Sequence, residues 1–212
     1  MQLEQIYTHI DHTVLKQTTT WAQVQKLCDE AIQGKAASVC IPPCYVAKAK
    51  EYTNGAMPIC TVIGFPNGYQ TTMVKLVETK EALANGADEI DMVINLCDVK
   101  NGEWDKVSHE IKALKHACGN RVLKVIVETC YLTEEEKVRL CQIVTETKAD
   151  YIKTSTGFGS AGATVEDITL FRKECGSDVK IKAAGGIRTM EDAENMLSAG
   201  ADRLGSSALL AR

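Results

Sequence analysis

Eight short runs of aliphatic and β-branched residues recur along this 212-residue chain, each separated from the next by a longer amphipathic stretch. The runs fall at residues 8–11, 38–42, 59–64, 89–95, 122–128, 151–155, 179–183 and 203–205. Runs of this length read as buried strands, and the stretches between them are long enough to be crossover helices. Regular alternation of this kind leaves few solutions. Parallel strands need long crossovers, and the helices that make them must cover the sheet. Helix starts are marked by a threonine followed three residues later by a side chain that can reach back: Thr20 with Gln23, Thr133 with Glu136, Thr164 with Asp167 and Thr189 with Asp192.

The helix-to-strand junction is itself repeated, as ANGADEIDMV, ETKADYIKTS and SAGADRLGSS. All three carry Ala-Asp directly before a strand, and in two of them Gly86 or Gly200 stands where a helix C-cap needs a glycine. No linker interrupts the alternation, so residues 1–212 read as one domain. A closed (β/α)8 barrel, the TIM-barrel architecture, fits best; an open doubly wound sheet is the alternative.

Composition narrows the partners. With 45% hydrophobic and 25% charged residues and a formal charge of −4, the chain has material for one core and no basic run for a nucleic acid. Its start, MQLEQIYTHIDHT, lacks a basic segment followed by an apolar one, and no run approaches the length that spans a bilayer. No membrane partner is expected, and the expected compartment is cytoplasmic. Nine cysteines lie in strand-like and helix-like segments without a CxxC pair, and are read as reduced, mostly buried thiols. Cys40, on the second strand, is read as core; with Cys44 it forms the closest pair, and no second pair completes a metal site. His9 and His12, three apart on a strand, face opposite ways, and His109 and His116 fall in a helical region, so no metal is expected.

Lysine recurs at equivalent places in three strands: Lys124 in RVLKVIVE, Lys153 in ADYIKTSTG and Lys182 in VKIKAAGG. Lysine is rarely buried without a partner or a task. Strand parity sets Lys124 opposite Leu123, Val125 and Val127, Lys153 opposite Ile152, and Lys182 opposite Ile181 and Ala183. Asp91 likewise lies opposite Ile90 and Met92. If the aliphatic faces pack on helices, one carboxylate and three ammonium groups converge inside the barrel. A second cation beside Lys153 favours its neutral amine, which is what condensation with a carbonyl requires. Asp91 then serves as a salt-bridge partner, as a proton-transfer group, or as both.

An anion site is expected nearby. Ala183-Ala184-Gly185-Gly186-Ile187-Arg188-Thr189 follows the seventh strand and opens a helix, offering backbone amides and a guanidinium. Gly205, Ser206 and Ser207 follow the eighth strand, and phosphate sites in TIM barrels recur in the loops after strands 7 and 8. The segment after Lys153, with Thr156 and Gly157, adds hydroxyls and flexible backbone at the same rim, and Gly64-Phe65-Pro66-Asn67-Gly68 reads as another rim loop.

IDHTVLK, SVCIPP, TVIGFPNG, ADEIDMVIN, LKVIVET, YIKTSTGF, IKAAGGIRT and ADRLGSS together resemble the deoxyribose-phosphate aldolases, class I aldolases with a TIM-barrel fold. The resemblance runs over essentially the whole chain. It implies reversible cleavage of 2-deoxy-D-ribose 5-phosphate to D-glyceraldehyde 3-phosphate and acetaldehyde, in deoxyribonucleoside catabolism, without metal or organic cofactor, by a homo-oligomer (dimer or tetramer). It gives Lys153 the Schiff base, Lys182 the task of favouring the neutral amine of Lys153 and relaying protons, and Asp91 acid–base work through water. It puts Lys124 in the charged interior and Asp11 near the sugar hydroxyls. Phosphate falls to Gly157, Gly185, Gly186, Arg188 and the Gly205, Ser206, Ser207 segment. Where the family has Gly-x-Ser-Ser this chain reads Gly205-Ser206-Ser207-Ala208, one hydroxyl fewer. The chain also stops at Arg212, soon after that loop, which implies either a truncated last helix or a barrel that closes without it. Read from the residues alone, a sugar-phosphate isomerising or transaldolase-like barrel, or a silent phosphosugar-binding protein, stays open.

Overall fold

The computed structural model describes residues 3–210. Eight strands, β1 (Ile10–Thr13), β2 (Ser38–Ile41), β3 (Ile59–Ile63), β4 (Glu89–Val93), β5 (Val122–Ile126), β6 (Tyr151–Lys153), β7 (Lys180–Ala184) and β8 (Arg203–Ser206), pair in chain order. All pairings are parallel, and β8 returns to β1, so the sheet closes into a barrel. Helix α1 (Leu3–Tyr7) precedes the barrel. The crossovers are α2 (Trp21–Gly34), α3 (Val46–Thr53), α4 (Thr72–Ala84), α5 (Leu96–Lys100) with α6 (Trp104–Cys118), α7 (Glu134–Glu146), α8 (Val165–Glu174) and α9 (Met190–Ser198). The open doubly wound alternative is thereby excluded. The barrel closes through β8, and among the described residues no helix follows it.

Strand parity sorts the residues as a closed barrel requires. Ile90, Met92, Leu123, Val125, Ile152, Ile181 and Ala183 are fully buried in the core between strands and helices. The expected helix starts form. Thr20, Thr133 and Thr189 make reciprocal capping boxes with Gln23, Glu136 and Asp192, and Thr164 accepts from the Asp167 amide.

The repeated Ala-Asp junction has a common purpose. Asp88, Asp150 and Asp202, each directly before a strand, accept the backbone N–H of Ile59, Leu123 and Ile181 on the strand before, at 3.0, 2.7 and 2.8 Å. Each also holds a cation, Lys50, Lys115 or Arg172. The N-terminal edge of the barrel is stitched by three equivalent carboxylates. Gly86 and Gly200 take the positive φ that ends their helices, and at the third junction Lys148 does so at φ 55°.

The first strand is a correction. It starts at Ile10 rather than Thr8, because residues 3–7 close a helical turn that continues through Thr8 Oγ1 donating to the Gln5 carbonyl and His9 N to that of Ile6. His9 therefore precedes the strand. The shift is two residues and leaves Asp11 on the inner face.

Candidate active site

β4, β5, β6 and β7 bring Asp91, Lys124, Lys153 and Lys182 to the interior, with Asp91 in register with Lys124 and Lys153 with Lys182. Asp91 is the hub. Its Oδ2 accepts from Lys153 Nζ at 2.7 Å and from Lys182 Nζ at 2.8 Å, while its Oδ1 accepts from Lys124 Nζ at 2.8 Å. The two amines of Lys153 and Lys182 thus share one carboxylate oxygen.

A second layer holds the first. Lys182 also pairs with Asp11, whose Oδ1 accepts from Arg203 at 2.5 Å and from Ser38 Oγ at 2.7 Å. Lys124 pairs with Glu89 at 2.5 Å, and Arg203 approaches the same carboxylate at 3.3 Å. Four cations thus face three carboxylates. Burial opposes charge on Asp91, Asp11, Lys124, Lys182 and Arg203, but close opposite charges outweigh it. Lys124, Lys153 and Lys182 hold the Asp91 carboxyl well below the usual range, and Lys182, Lys124 and Arg203 do the same for Asp11. Burial would likewise lower Lys182 and Lys124. The facing carboxylates, Asp11 and Asp91 for Lys182 and chiefly Asp91 for Lys124, hold both above the ordinary ammonium value.

Above this cluster a cavity of about 360 Å³ opens at the C-terminal ends of the strands. Lys153 is the cluster member that lines it. The walls come from Thr156, Gly157 and Phe158 after β6, Gly185, Gly186 and Arg188 after β7, Gly205, Ser206 and Ser207 at β8, and Leu15 and Lys16 after β1. Lys153 and all the residues expected at the phosphate therefore share one space. Asp91, Lys182, Lys124 and Asp11 lie beneath it, fully buried, and Asp11 and Lys124 reach the cavity only through their ion pairs.

Local structure explains the rim. Gly185 and Gly186 take successive φ values of 84° and 82°, and a Cβ on Gly185 would lie 3.0 Å from the Cα of Gly162. Ser206 Oγ donates to the Ile187 carbonyl at 2.8 Å, tying the last two loops together, so Ser207 carries the exposed hydroxyl. The first turn of α9 is already occupied, since Asp192 accepts from the amides of Arg188 and Thr189. Donors for an anion at this rim therefore come from the glycine-rich loops more than from that helix end. Phe65, in the rim loop after β3, meets Phe158 edge-on at 5.4 Å.

Glu128, Glu89, Arg203 and Lys16 escape a reading of the sequence. Glu89 sits two residues before Asp91 and shares its face, and Arg203 is in register with Lys182, so parity carries a signal for both. Lys16 lies in a loop that periodicity does not orient. Glu128, just past β5, has φ 54° and is buried; its carboxylate accepts from Thr156 N and Oγ1, and burial pushes its pKa up. Nothing in the local sequence signals that backbone conformation.

The histidines stay apart. His12 Nε2 lies 2.9 Å from Glu30 on the helix side, and His109 and His116 are exposed. Spacing along the chain does not reveal that Cys40, Cys60 and Asp91 come within 4.8 Å of one another. Asp91 there is already engaged by three ammonium groups.

The family model for DeoC/LacD aldolases matches residues 6–211. The chain belongs to that family. It is 56% identical over 207 residues to the deoxyribose-phosphate aldolase of Clostridioides difficile (strain 630), a match covering 98% of this chain and 94% of the relative. With the deoxyribose-phosphate aldolase of Clostridium botulinum (strain Alaska E43 / Type E3) it shares 58% over the same shares of the two chains. Among solved structures it is similar to the tetrameric deoxyribose phosphate aldolase of Aeropyrum pernix, with a TM-score of 0.91 at 30% identity over 99% of this chain and 89% of that one. No helix among the described residues is long and apolar enough to cross a membrane.

Proposed function

We propose that this aldolase reversibly cleaves 2-deoxy-D-ribose 5-phosphate to D-glyceraldehyde 3-phosphate and acetaldehyde through an imine on Lys153. One observation carries the reading: a lysine at the floor of the cavity shares a carboxylate oxygen with a second, fully buried lysine. The cluster has one cation more than it has carboxylates, so one proton can leave it without creating an unbalanced negative charge inside the barrel.

The neutral Lys153 amine attacks the C1 aldehyde of the open-chain sugar, and loss of water gives an iminium. That cation draws electrons from the C3–C4 bond, which breaks as the C4 hydroxyl loses its proton. Glyceraldehyde 3-phosphate leaves, and the enamine of acetaldehyde remains on Lys153. Protonation of the enamine carbon and hydrolysis release acetaldehyde. Asp91 and Lys182 move the protons through water, being the groups beside the Lys153 nitrogen. Asp11 and Lys124 act at one remove, holding Lys182 and Asp91. Backbone amides of Gly157, Gly185 and Gly186, the Arg188 guanidinium, Lys16 and the Ser207 hydroxyl bind the phosphate, with Thr156, Gly205 and Ser206 shaping the wall. The iminium is the electron sink, so the reading needs no metal or organic cofactor.

A homo-oligomer is part of the same reading. Tyr69, Met73, Val74 and Val77 leave an apolar patch exposed around α4, and the Aeropyrum pernix relative is a tetramer. Light scattering on the purified chain should give a multiple of the chain mass; a monomer would remove this part.

The test of the reaction is release of glyceraldehyde 3-phosphate from 2-deoxyribose 5-phosphate by the wild type and by Lys153→Leu. Turnover should be lost in the variant while its circular dichroism stays native. Full activity in a folded Lys153→Leu protein would rule the mechanism out.

A further inference from the structure

Cys40 on β2 and Cys60 on β3 occupy directly paired positions, and both are fully buried. Neighbouring strands run about 4.8 Å apart, and side chains at paired positions leave the sheet on the same face. That spacing lies within the 4.4–6.8 Å range of Cα separations that disulfides span. The two sulfurs are within 4.8 Å of one another. Neither thiol belongs to the main core. With Val62 they form a separate small cluster, covered by Leu15 and Phe65, residues of the barrel mouth that are only partly buried.

We propose that Cys40 and Cys60 form a reversible cross-strand disulfide in response to peroxide, and that this bond acts on the reaction through Asp91. Cys60 Sγ donates to Asp91 Oδ1 at 3.1 Å and receives a contact from Lys124 Nζ at 3.3 Å. The Cys40 sulfur lies within 4.8 Å of the Cys60 sulfur. With its S–H donated to Asp91, Cys60 is the less free of the two sulfurs, which gives the first attack to Cys40 and the resolving step to Cys60. Cys60, as hydrogen-bond partner, brings the Cys40 thiol below its ordinary value, whereas burial pushes Cys60 well above its own.

In the first step the Cys40 thiolate attacks one oxygen of hydrogen peroxide. The O–O bond breaks, hydroxide leaves and takes up the proton Cys40 has lost, and Cys40 becomes a sulfenic acid. The Cys60 sulfur then displaces the sulfenic hydroxyl. That hydroxyl leaves as water with the Cys60 proton as the S–S bond forms. Two thiols give up two electrons and two protons, and one peroxide becomes two waters. Asp91 loses its thiol donor in the process. Dithiothreitol should restore the thiols by thiol–disulfide exchange through a mixed disulfide.

The experiment oxidises the purified protein with hydrogen peroxide, blocks remaining thiols under denaturing conditions, and maps tryptic peptides without reduction. The expected product is 2 Da lighter than the untreated chain, with residues 36–48 linked to residues 51–75. Exposed Cys44 lies in the first of those peptides, so the link must persist in Cys44→Ser and vanish in Cys40→Ser. Deoxyribose 5-phosphate turnover should fall about two- to tenfold on oxidation, as for loss of one weak hydrogen bond, and return with dithiothreitol. The proposal is overturned if Cys40 and Cys60 both stay open to alkylation, if Cys40 stops at a sulfinic acid without a link, or if the link runs through Cys44. The mapping on wild-type protein decides even if a serine variant does not fold.

Discussion

Asp91 is fully buried and accepts three ammonium hydrogen bonds, so it is the residue where structure and chemistry are hardest to separate. Replacing it with asparagine keeps the shape and removes the charge. Lys124 and Lys182 then face one another with a carboxylate fewer, and breaking a buried pair of this kind costs about 3–5 kcal/mol. Asp91→Asn should lower the urea midpoint accordingly and cut kcat by about 10²–10⁴-fold, the range for loss of a positioned proton-transfer group. An unchanged urea midpoint would mean that the lysines are not charged in the folded protein. The four central residues are legible in the sequence because parity on a β-strand is unforgiving: Asp91 and the three lysines cannot face the helices without displacing Ile90, Leu123, Ile152 or Ile181. Glu128 is not legible there. Its place depends on a left-handed backbone after β5 and on Thr156 of the next loop, a contact 28 residues away in sequence.

Among the elements, the repeated Ala-Asp junction reports on the strand before it. Asp150 caps the Leu123 amide of β5 and holds Lys115, although it is announced in sequence only as the lead-in to β6. Asp150→Ala leaves that amide without its acceptor at the barrel edge and should cost about 1–3 kcal/mol in chemical denaturation. A loss below a few tenths of a kcal/mol would show that water replaces the carboxylate freely. The alternation of strands and helices, their caps and the order of pairing are readable, because each strand is bounded by turn residues and four of the crossover helices open on a threonine cap. The start of β1 is not, because α1 is only five residues long, too short to show a period.

At the scale of the whole molecule, a net of ion pairs through the barrel ties stability to pH at both extremes. Asp11 and Asp91 have folded values far below the 3.8 of a free aspartate, so their contribution is fully present above pH 3.8 and is lost as pH falls towards those folded values. Lys124 and Lys182 are raised above 10.5, so theirs is fully present below pH 10.5 and is lost as pH rises towards their folded values. With respect to this cluster, Tm should be flat between those limits and fall outside them. A thermal scan showing a steep drop near pH 6 or 9 would assign stability to other groups. The proposed reaction centres on one nitrogen, and the most direct test traps the intermediate assigned to it. Incubating the protein with acetaldehyde, reducing with borohydride and mapping the peptides should place an ethyl group on Lys153. A folded protein in excess aldehyde that yields no adduct, or carries it on Lys182 instead, would contradict the assignment of Lys153 as the amine that forms the imine.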